Sequence, residues 1–456
     1  MKRHILWGTL GTNDLSPTVR EDDYTQVTTI PMLSTTNTLE YGVGQAINEL
    51  KKNGLRPSEV GIDLALLSAL VTAADTRISR DAEAQDTWTR EIDIYLPVSN
   101  VDLWENVNSL IREMLKFLTG DIWRIKFRKR PSDCDNLAPL VGSLGLLEFS
   151  SVSLFSGGLD SYIGAIDLFE ENKESSLFIS HYWDQSTSNQ EDCAQIIRNE
   201  YNQKSFYQIR SRVGFNNGII KNVKGENTLR GRSFLFFALA ALAASCSDEI
   251  KKLFIPENGL ISLNVPLDPL RLGAWSTRTT HPYYLARWND LLKQLGLGVH
   301  LVNPYRFKTK GEMVEECLNQ TFLKKTYMKT LSCSSVSKAR WEGNHFGHCG
   351  HCVPCIIRRT AIEHAYEEDL SGYLAVPSMD TTTILDTQKA EGVHVRSFQL
   401  MKAKLAKKTN AHTVLVHKSG PLNDYPDADV QEYAEVFRRG IDEVDAILRN
   451  VTAKPL

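Results

Sequence analysis

Ser153-Leu154-Phe155-Ser156-Gly157-Gly158-Leu159-Asp160-Ser161 joins an apolar run to a stretch of helical periodicity, and its reading decides the fold. A buried strand that ends in paired glycines and runs into a helix offers an anion backbone N–H groups and the positive helix end. Gly157 and Gly158 let the main chain approach an oxyanion without a Cβ in the way. Ser156 and Ser161 add hydroxyl donors. Asp160, a carboxylate beside an anion site, makes chemical sense if it orients donors or holds a Mg2+ ion. A Gly-Gly pair after a strand is usually only a turn, whereas the whole S-G-G-x-D-S hexad at a strand-to-helix junction is far more specific.

Working outward, residues 146–155, 177–182, 206–209, 252–255 and 299–303 read as strands, and 159–169, 190–201 and 233–244 as helices. This alternation predicts an α/β domain with a parallel sheet covered on both faces. Residues 1–145 predict a separate α+β accessory domain, with strands at 91–96 and 123–128 and a helix at 103–118. The strand at 123–128 alternates apolar with basic residues, which suits a half-buried strand or a contact surface for a charged partner. Beyond the sheet, 358–367 is predicted helical, a Lys- and Thr-rich stretch spans 401–413, and 430–448 is an amphipathic helix. The expected division is 1–145, the α/β domain that carries the anion loop at 146–325, a four-cysteine element at 326–375 and a helical extension at 376–456.

Cys349-Gly350-His351-Cys352-Val353-Pro354-Cys355, with Cys333 upstream, lets one tight turn supply three corners of a tetrahedron while a distant residue closes it. Closed structural Zn2+ sites have this form. A C-x-x-C redox pair, an iron-sulfur cluster, or His345, His348 or His351 as the fourth ligand are the alternatives. Cys134, Cys193, Cys246 and Cys317 are scattered and read as ordinary thiols.

A chain of 456 residues has room for two or three domains. Its net charge of -3 argues against a general nucleic-acid coat. With no signal-peptide core and no run of about 18 apolar residues, a soluble cytoplasmic protein without a membrane span is expected. G-x-x-x-x-G-K-[ST] is absent, and Gly42-Val43-Gly44-Gln45-Ala46-Ile47 lacks the third glycine of a dinucleotide loop, so it reads as a helix start.

The hexad at 156–161 resembles the phosphate loop of the PP-loop family, whose members cleave ATP between the α and β phosphates and adenylate a carbonyl or carboxylate oxygen. The resemblance implies an adenine nucleotide alpha hydrolase-like domain, ATP and Mg2+ as cofactors, and nucleotide contacts from Phe155, Ser156, Gly157, Gly158, Leu159, Asp160 and Ser161. Taken with the cysteines, about residues 150–370 resemble the QueC-like, 7-cyano-7-deazaguanine synthase family. Leu229-Arg230-Gly231-Arg232-Ser233-Phe234-Leu235-Phe236 is similar to its G-R-N-x-x-F helix start, with Ser233 in place of Asn. Asn303-Pro304 followed by Lys308-Thr309-Lys310-Gly311-Glu312-Met313 is similar to its proline-then-T-K-x-E stretch, and Arg358 follows the last cysteine. His181-Tyr182-Trp183-Asp184-Gln185 matches its Y-G-Q-R strand end only loosely, and Pro256-Glu257-Asn258-Gly259 leaves the base contacts undetermined.

The long layout resembles the QueC-like proteins of bacterial antiphage operons, such as the Qat C component. That resemblance implies adenylation of 7-carboxy-7-deazaguanine and its joining as an amide to an amine, the N-terminus of a partner protein. Asp160, Lys310 and Arg232 are then the expected catalytic groups, Cys333, Cys349, Cys352 and Cys355 hold Zn2+, and a homodimer is compatible with the sequence. The alternatives are a free synthase using ammonia, a tRNA-modifying PP-loop enzyme, and a non-catalytic nucleotide-binding component.

Overall fold

The computed structural model describes residues 2–84, 86–141, 149–171, 176–182, 188–202, 204, 206–226, 228–268, 278–334, 347–366, 368–373, 383–424 and 429–456. Its first half carries β1 (Arg3–Thr9), β2 (Thr25–Pro31), α1 (Val43–Lys52), α2 (Glu59–Arg77), α3 (Arg80–Glu83), β3 (Glu91–Val98), α4 (Val101–Asn106), α5 (Asn108–Thr119) and β4 (Ile122–Lys129). The strands form one sheet of order β2-β1-β3-β4, parallel throughout. The expected α+β unit is therefore an α/β unit. Helices or a long connection separate every pair of neighbouring strands, so no tight hairpin forms and parallel pairing follows.

The single helix expected at 103–118 is two, because Val107 leaves helical geometry (φ -100°, ψ 1°). There the Asn108 amide donates to Glu105 (2.8 Å) and to the carbonyl of Ile125 (3.0 Å). β4 is half-buried, as the plain reading had it: Trp123, Ile125 and Phe127 face inward and Lys126 outward. Arg124 on that strand is neutralised within the sheet by Glu91 (2.7 Å) and Asp93 (3.2 Å).

The second sheet comes from β5 (Ser151–Leu154), α6 (Leu159–Glu171), β6 (Ser176–His181), α7 (Ser188–Glu200), β7 (Tyr207–Ser211), α8 (Arg232–Ala244), β8 (Lys252–Phe254), α9 (Gly259–Leu263), α10 (Pro282–Gln294) and β9 (His300–Val302). Its order is β7-β6-β5-β8-β9, again all parallel. The chain winds from β5 outward to β7, then crosses to the other side of β5 for β8 and β9. Doubly wound sheets bind ligands at such a reversal, beyond the carboxyl ends of the strands. The first strand was expected over 146–155; Ser151–Leu154 is strand, and 146–148 lie outside the described residues.

One apolar cluster runs through both units, from Leu6 and Leu67 to Leu235 and Leu253. α2 and α8 meet within it, and both are covered on every side, which leaves neither with an amphipathic stripe. They approach closely at Gly61, where a Cβ would come within 2.3 Å of Ser245 Oγ.

Downstream lie α11 (Lys310–Glu315), α12 (Gln320–Thr326), α13 (Val353–Tyr366), β10 (Ile384–Asp386), α14 (Ala390–Lys407), α15 (Ala411–Leu415), α16 (Val430–Leu448) and β11 (Thr452–Lys454). The extension expected to be helical also contains a short parallel pair, β10 with β11. α14 and α16 share a second apolar cluster built on Phe398, Met401, Phe437 and Ile441. Among the described residues no helix is long and apolar enough to cross a membrane.

Candidate functional site

The loop after β5 is shaped by its own hydroxyls. Ser156 N–H donates to Ser161 Oγ (3.2 Å), Gly158 N–H to Ser156 Oγ (3.3 Å), and the two hydroxyls lie 3.1 Å apart. Gly157 sits at φ +77°, where a Cβ would also meet Gln190 Cα and Asn189 Nδ2 at 3.0 Å, so a side chain there is excluded twice over. Phe155 and Leu159 turn into the core rather than toward the loop's open side. Phe155 meets Phe178 and Phe206 edge to face (6.0 and 5.5 Å).

A cleft of about 330 Å3 opens on this loop. Its wall includes Ser156, Gly158, Asp160, Ser161, Arg232 and Lys310, which the sequence had proposed from three separate stretches. Asn189, Gln190 and Pro354 also border it. The first turns of α6, α7, α8, α11 and α13 therefore converge here, and each contributes the positive end of its dipole.

Asp160 is buried, with Lys310 Nζ 2.6 Å away. Asn258 donates to the same carboxylate through its backbone N–H (3.1 Å) and its amide (2.7 Å). Burial alone would raise the Asp160 carboxyl, but the Lys310 ammonium and these hydrogen bonds outweigh it and hold Asp160 below the usual range. Glu257 beside it moves the opposite way: burial and the Asp160 charge push its carboxyl well above the usual range, which favours its protonated form.

Arg232 is left over. Its guanidinium lies 4.8 Å above the Phe236 ring, its Nε has no hydrogen-bond partner, and no carboxylate among the described residues pairs with it. Burial lowers its pKa to about 10, so it stays charged at neutral pH. A guanidinium with no carboxylate partner among the described residues, set among helix N-termini, is an arrangement that favours an anion.

Two distant segments hold these cations in place. Gly231, just before Arg232, donates its N–H to Asp75 Oδ2 of α2 (2.7 Å), so the first unit fixes the start of α8. Thr309 and Glu312 form a reciprocal cap at the start of α11, which sets Lys310. Arg439 of α16 pairs with Glu312 (2.5 Å), and Glu443 accepts from the Thr309 hydroxyl.

The cysteines adjoin the same cleft. The sulfurs of Cys333, Cys349, Cys352 and Cys355 all lie within 4.8 Å of one another, with Cys333–Cys352 and Cys349–Cys355 at 3.9 Å. Four thiolates about 2.3 Å from one Zn2+ would be separated by roughly 3.8 Å, so the group is positioned to bind a metal ion and is compatible with zinc. Backbone N–H groups of Cys349 and Cys352 point at sulfur (3.5 and 3.4 Å), which favours thiolates.

His348, one alternative ligand, instead accepts the N–H of Ser332 (3.2 Å). His345 and 183–187, including Trp183, Asp184 and Gln185, lie outside the described residues.

The strand of chain leading into Cys333 is bonded to the phosphate loop. Leu331 N–H donates to the Gly157 carbonyl (2.9 Å), and Leu159 N–H donates to Ser332 Oγ (3.1 Å). Sequence reasoning missed Ser332 and Asn189, and it left Glu257 and Asn258 without a role. Asn258 does carry a signal, since Asn before a short helical run is a cap, and its side chain accepts from Ile261 N–H (3.0 Å).

Comparison with models of known families, with characterised proteins and with solved structures finds no match for this chain.

Proposed function

We propose that the chain is an ATP-dependent carbon-nitrogen ligase that forms AMP and pyrophosphate, with chemistry of the QueC-like kind. The observation that carries this reading is Arg232, a charged group with no acidic partner among the described residues, set with Lys310 beside the Gly157-Gly158 loop at the sheet's switch point.

In this reading the phosphates of ATP lie on residues 156–161, and Asp160 is the residue near which Mg2+ would be held, where it would supply charge neutralisation for the pyrophosphate. The carboxylate of 7-carboxy-7-deazaguanine attacks the α-phosphorus, the α–β bridge breaks, and an acyl adenylate forms. Arg232 offsets the charge that builds on the leaving group. Asp160, engaged with both Lys310 and Asn258, acts as a positioning residue for Lys310. An amine then attacks the acyl carbon, loses a proton and expels AMP to leave an amide. The proposed amine is the N-terminus of a partner protein from a phage-defence operon. Cys333, Cys349, Cys352 and Cys355 would hold Zn2+ in a structural role, beside the hydrogen bonds that tie Leu331 and Ser332 to the loop.

The test is incubation of the full chain with ATP, Mg2+, 7-carboxy-7-deazaguanine and the products of adjacent genes, followed by intact-mass analysis and nucleotide chromatography. AMP, pyrophosphate and a deazaguanine amide on one partner are expected. A free nitrile base formed from ammonia without any partner would overturn protein ligation in favour of the free synthase. No ATP turnover with any deazaguanine would leave a nucleotide-binding role only.

A further inference from the structure

A second cavity, of about 170 Å3, lies where the first unit meets the rest of the chain. Its wall carries Lys116, Arg230, Arg278 and Lys418 together with Trp88 and Phe117, and no carboxylate among the described residues. Arg230 is buried, 4.2 Å over the Trp88 ring, and donates to the Thr119 carbonyl (3.1 Å), while its Nε has no partner. Arg278 lies 4.6 Å over the Phe117 ring and donates to the Phe117 carbonyl (3.1 Å).

Among the described residues neither guanidinium has an acid of its own. The carboxylates that act on Arg230, Asp75 and Asp121, are already engaged by Arg80 and Arg90: Arg80 with Asp121 at 2.7 Å, and Arg90 with Asp121 at 2.7 Å and Asp75 at 3.2 Å. Burial lowers the Arg230 pKa to about 10, which leaves it charged. The turn that delivers Arg230 is specially held, with Leu229 in the left-handed region (φ +48°) and Gly231 tied to Asp75.

We propose that this cavity is a second anion site, distinct from the nucleotide cleft, which takes a compact, multiply charged oxyanion of the phosphate class. A guanidinium stacked on a ring keeps its N–H edge available for paired bonds to such an oxyanion. A monocarboxylate would offset only one of the four cations. A whole nucleotide needs a larger pocket, commonly about 300 Å3 or more.

Equilibrium dialysis of the full chain against radiolabelled inorganic phosphate tests this, with Arg278→Gln, the surface pair Lys116→Gln/Lys418→Gln, and Arg232→Gln compared by melting curve for folding. Two classes of site are expected in the unaltered protein. Arg278→Gln and the surface pair should each weaken the same class about tenfold or more, the scale of one charge-assisted contact, while Arg232→Gln leaves that class intact. Glycerol 3-phosphate competing as well as phosphate would support a phosphomonoester occupant, and its failure to compete would support the free anion. Phosphate binding that only Arg232→Gln reduces, or acetate competing equally, would overturn the proposal. If the unaltered protein shows only the class that Arg278→Gln and the surface pair weaken, and Arg232→Gln changes nothing, it is the nucleotide cleft that fails and not this site.

Discussion

β1 and β5 hold the same place in their sheets: each has the next strand on one side and, after a crossover, a later strand on the other. Both therefore end at a crevice. Past β1, Asp14 fills that crevice. It pairs with Arg128 and accepts the N–H groups of Leu10 and Leu15 (2.7 Å each). Trp7 also donates to the Leu15 carbonyl (2.9 Å). Past β5, a cleft opens beside Gly158, and among the described residues Arg232 finds no acid. Topology supplies a crevice twice; on the proposed reading, unbalanced charge distinguishes the one that receives a ligand.

The largest effect expected concerns what holds the second crevice open. Structural Zn2+ typically contributes on the order of 10 kcal/mol or more of apparent free energy, so Cys352→Ser should lose the metal and unfold the segment around it. Hydrogen exchange at Leu331 and Leu159 should rise while β1 to β4 stay protected. Elemental analysis should find about one zinc per chain. Stoichiometric iron with visible absorbance would contradict the zinc assignment.

Next in size is the closed crevice. Asp14→Ala strands Arg128 and two N–H groups, a loss of about 3–5 kcal/mol for breaking a buried pair. Urea denaturation should show that loss, with ATP affinity of the folded protein unchanged. Arg232→Gln should do the reverse. Stability should change by less than about 1 kcal/mol, because no ion pair is lost, whereas ATP binding should weaken roughly tenfold to a hundredfold.

The smallest effect is a pH dependence at Glu257. Its folded pKa is raised, so the favourable contribution of its protonated form is fully present below the ordinary value near 4.5 and is lost as pH rises through the folded value. Glu257→Gln keeps a donor toward Asp160 without that titration. Its melting temperature relative to the unaltered protein should therefore climb as pH rises above 4.5. Parallel melting curves across the pH range would contradict the protonated Glu257.

Much of the second sheet was legible because its strands are short apolar runs bounded by turns, and α16 was legible end to end from its amphipathic stripe. α2 was missed for the opposite reason: buried on every side between two sheets, it shows no stripe. The parallel pairing of the first sheet was also hidden, since strand direction depends on crossovers and not on strand composition. In the site, Ser156 to Ser161 and the cysteines are contiguous and stand out, and the distant Arg232 and Lys310 came only through family resemblance. Ser332 and Glu257 act through a hydrogen bond and a neighbouring charge that only the folded chain creates.

On the proposed reading the crevice past β5 holds a nucleotide because Arg232 has no acidic partner there among the described residues. Calorimetric titration of ATP and Mg2+ into the full chain, Arg232→Gln and Asp14→Ala tests it directly. About one ATP per chain, weakened at least tenfold by Arg232→Gln and unaffected by Asp14→Ala, is the predicted result. Equal affinity in the unaltered protein and Arg232→Gln, or no ATP binding at all, would contradict it.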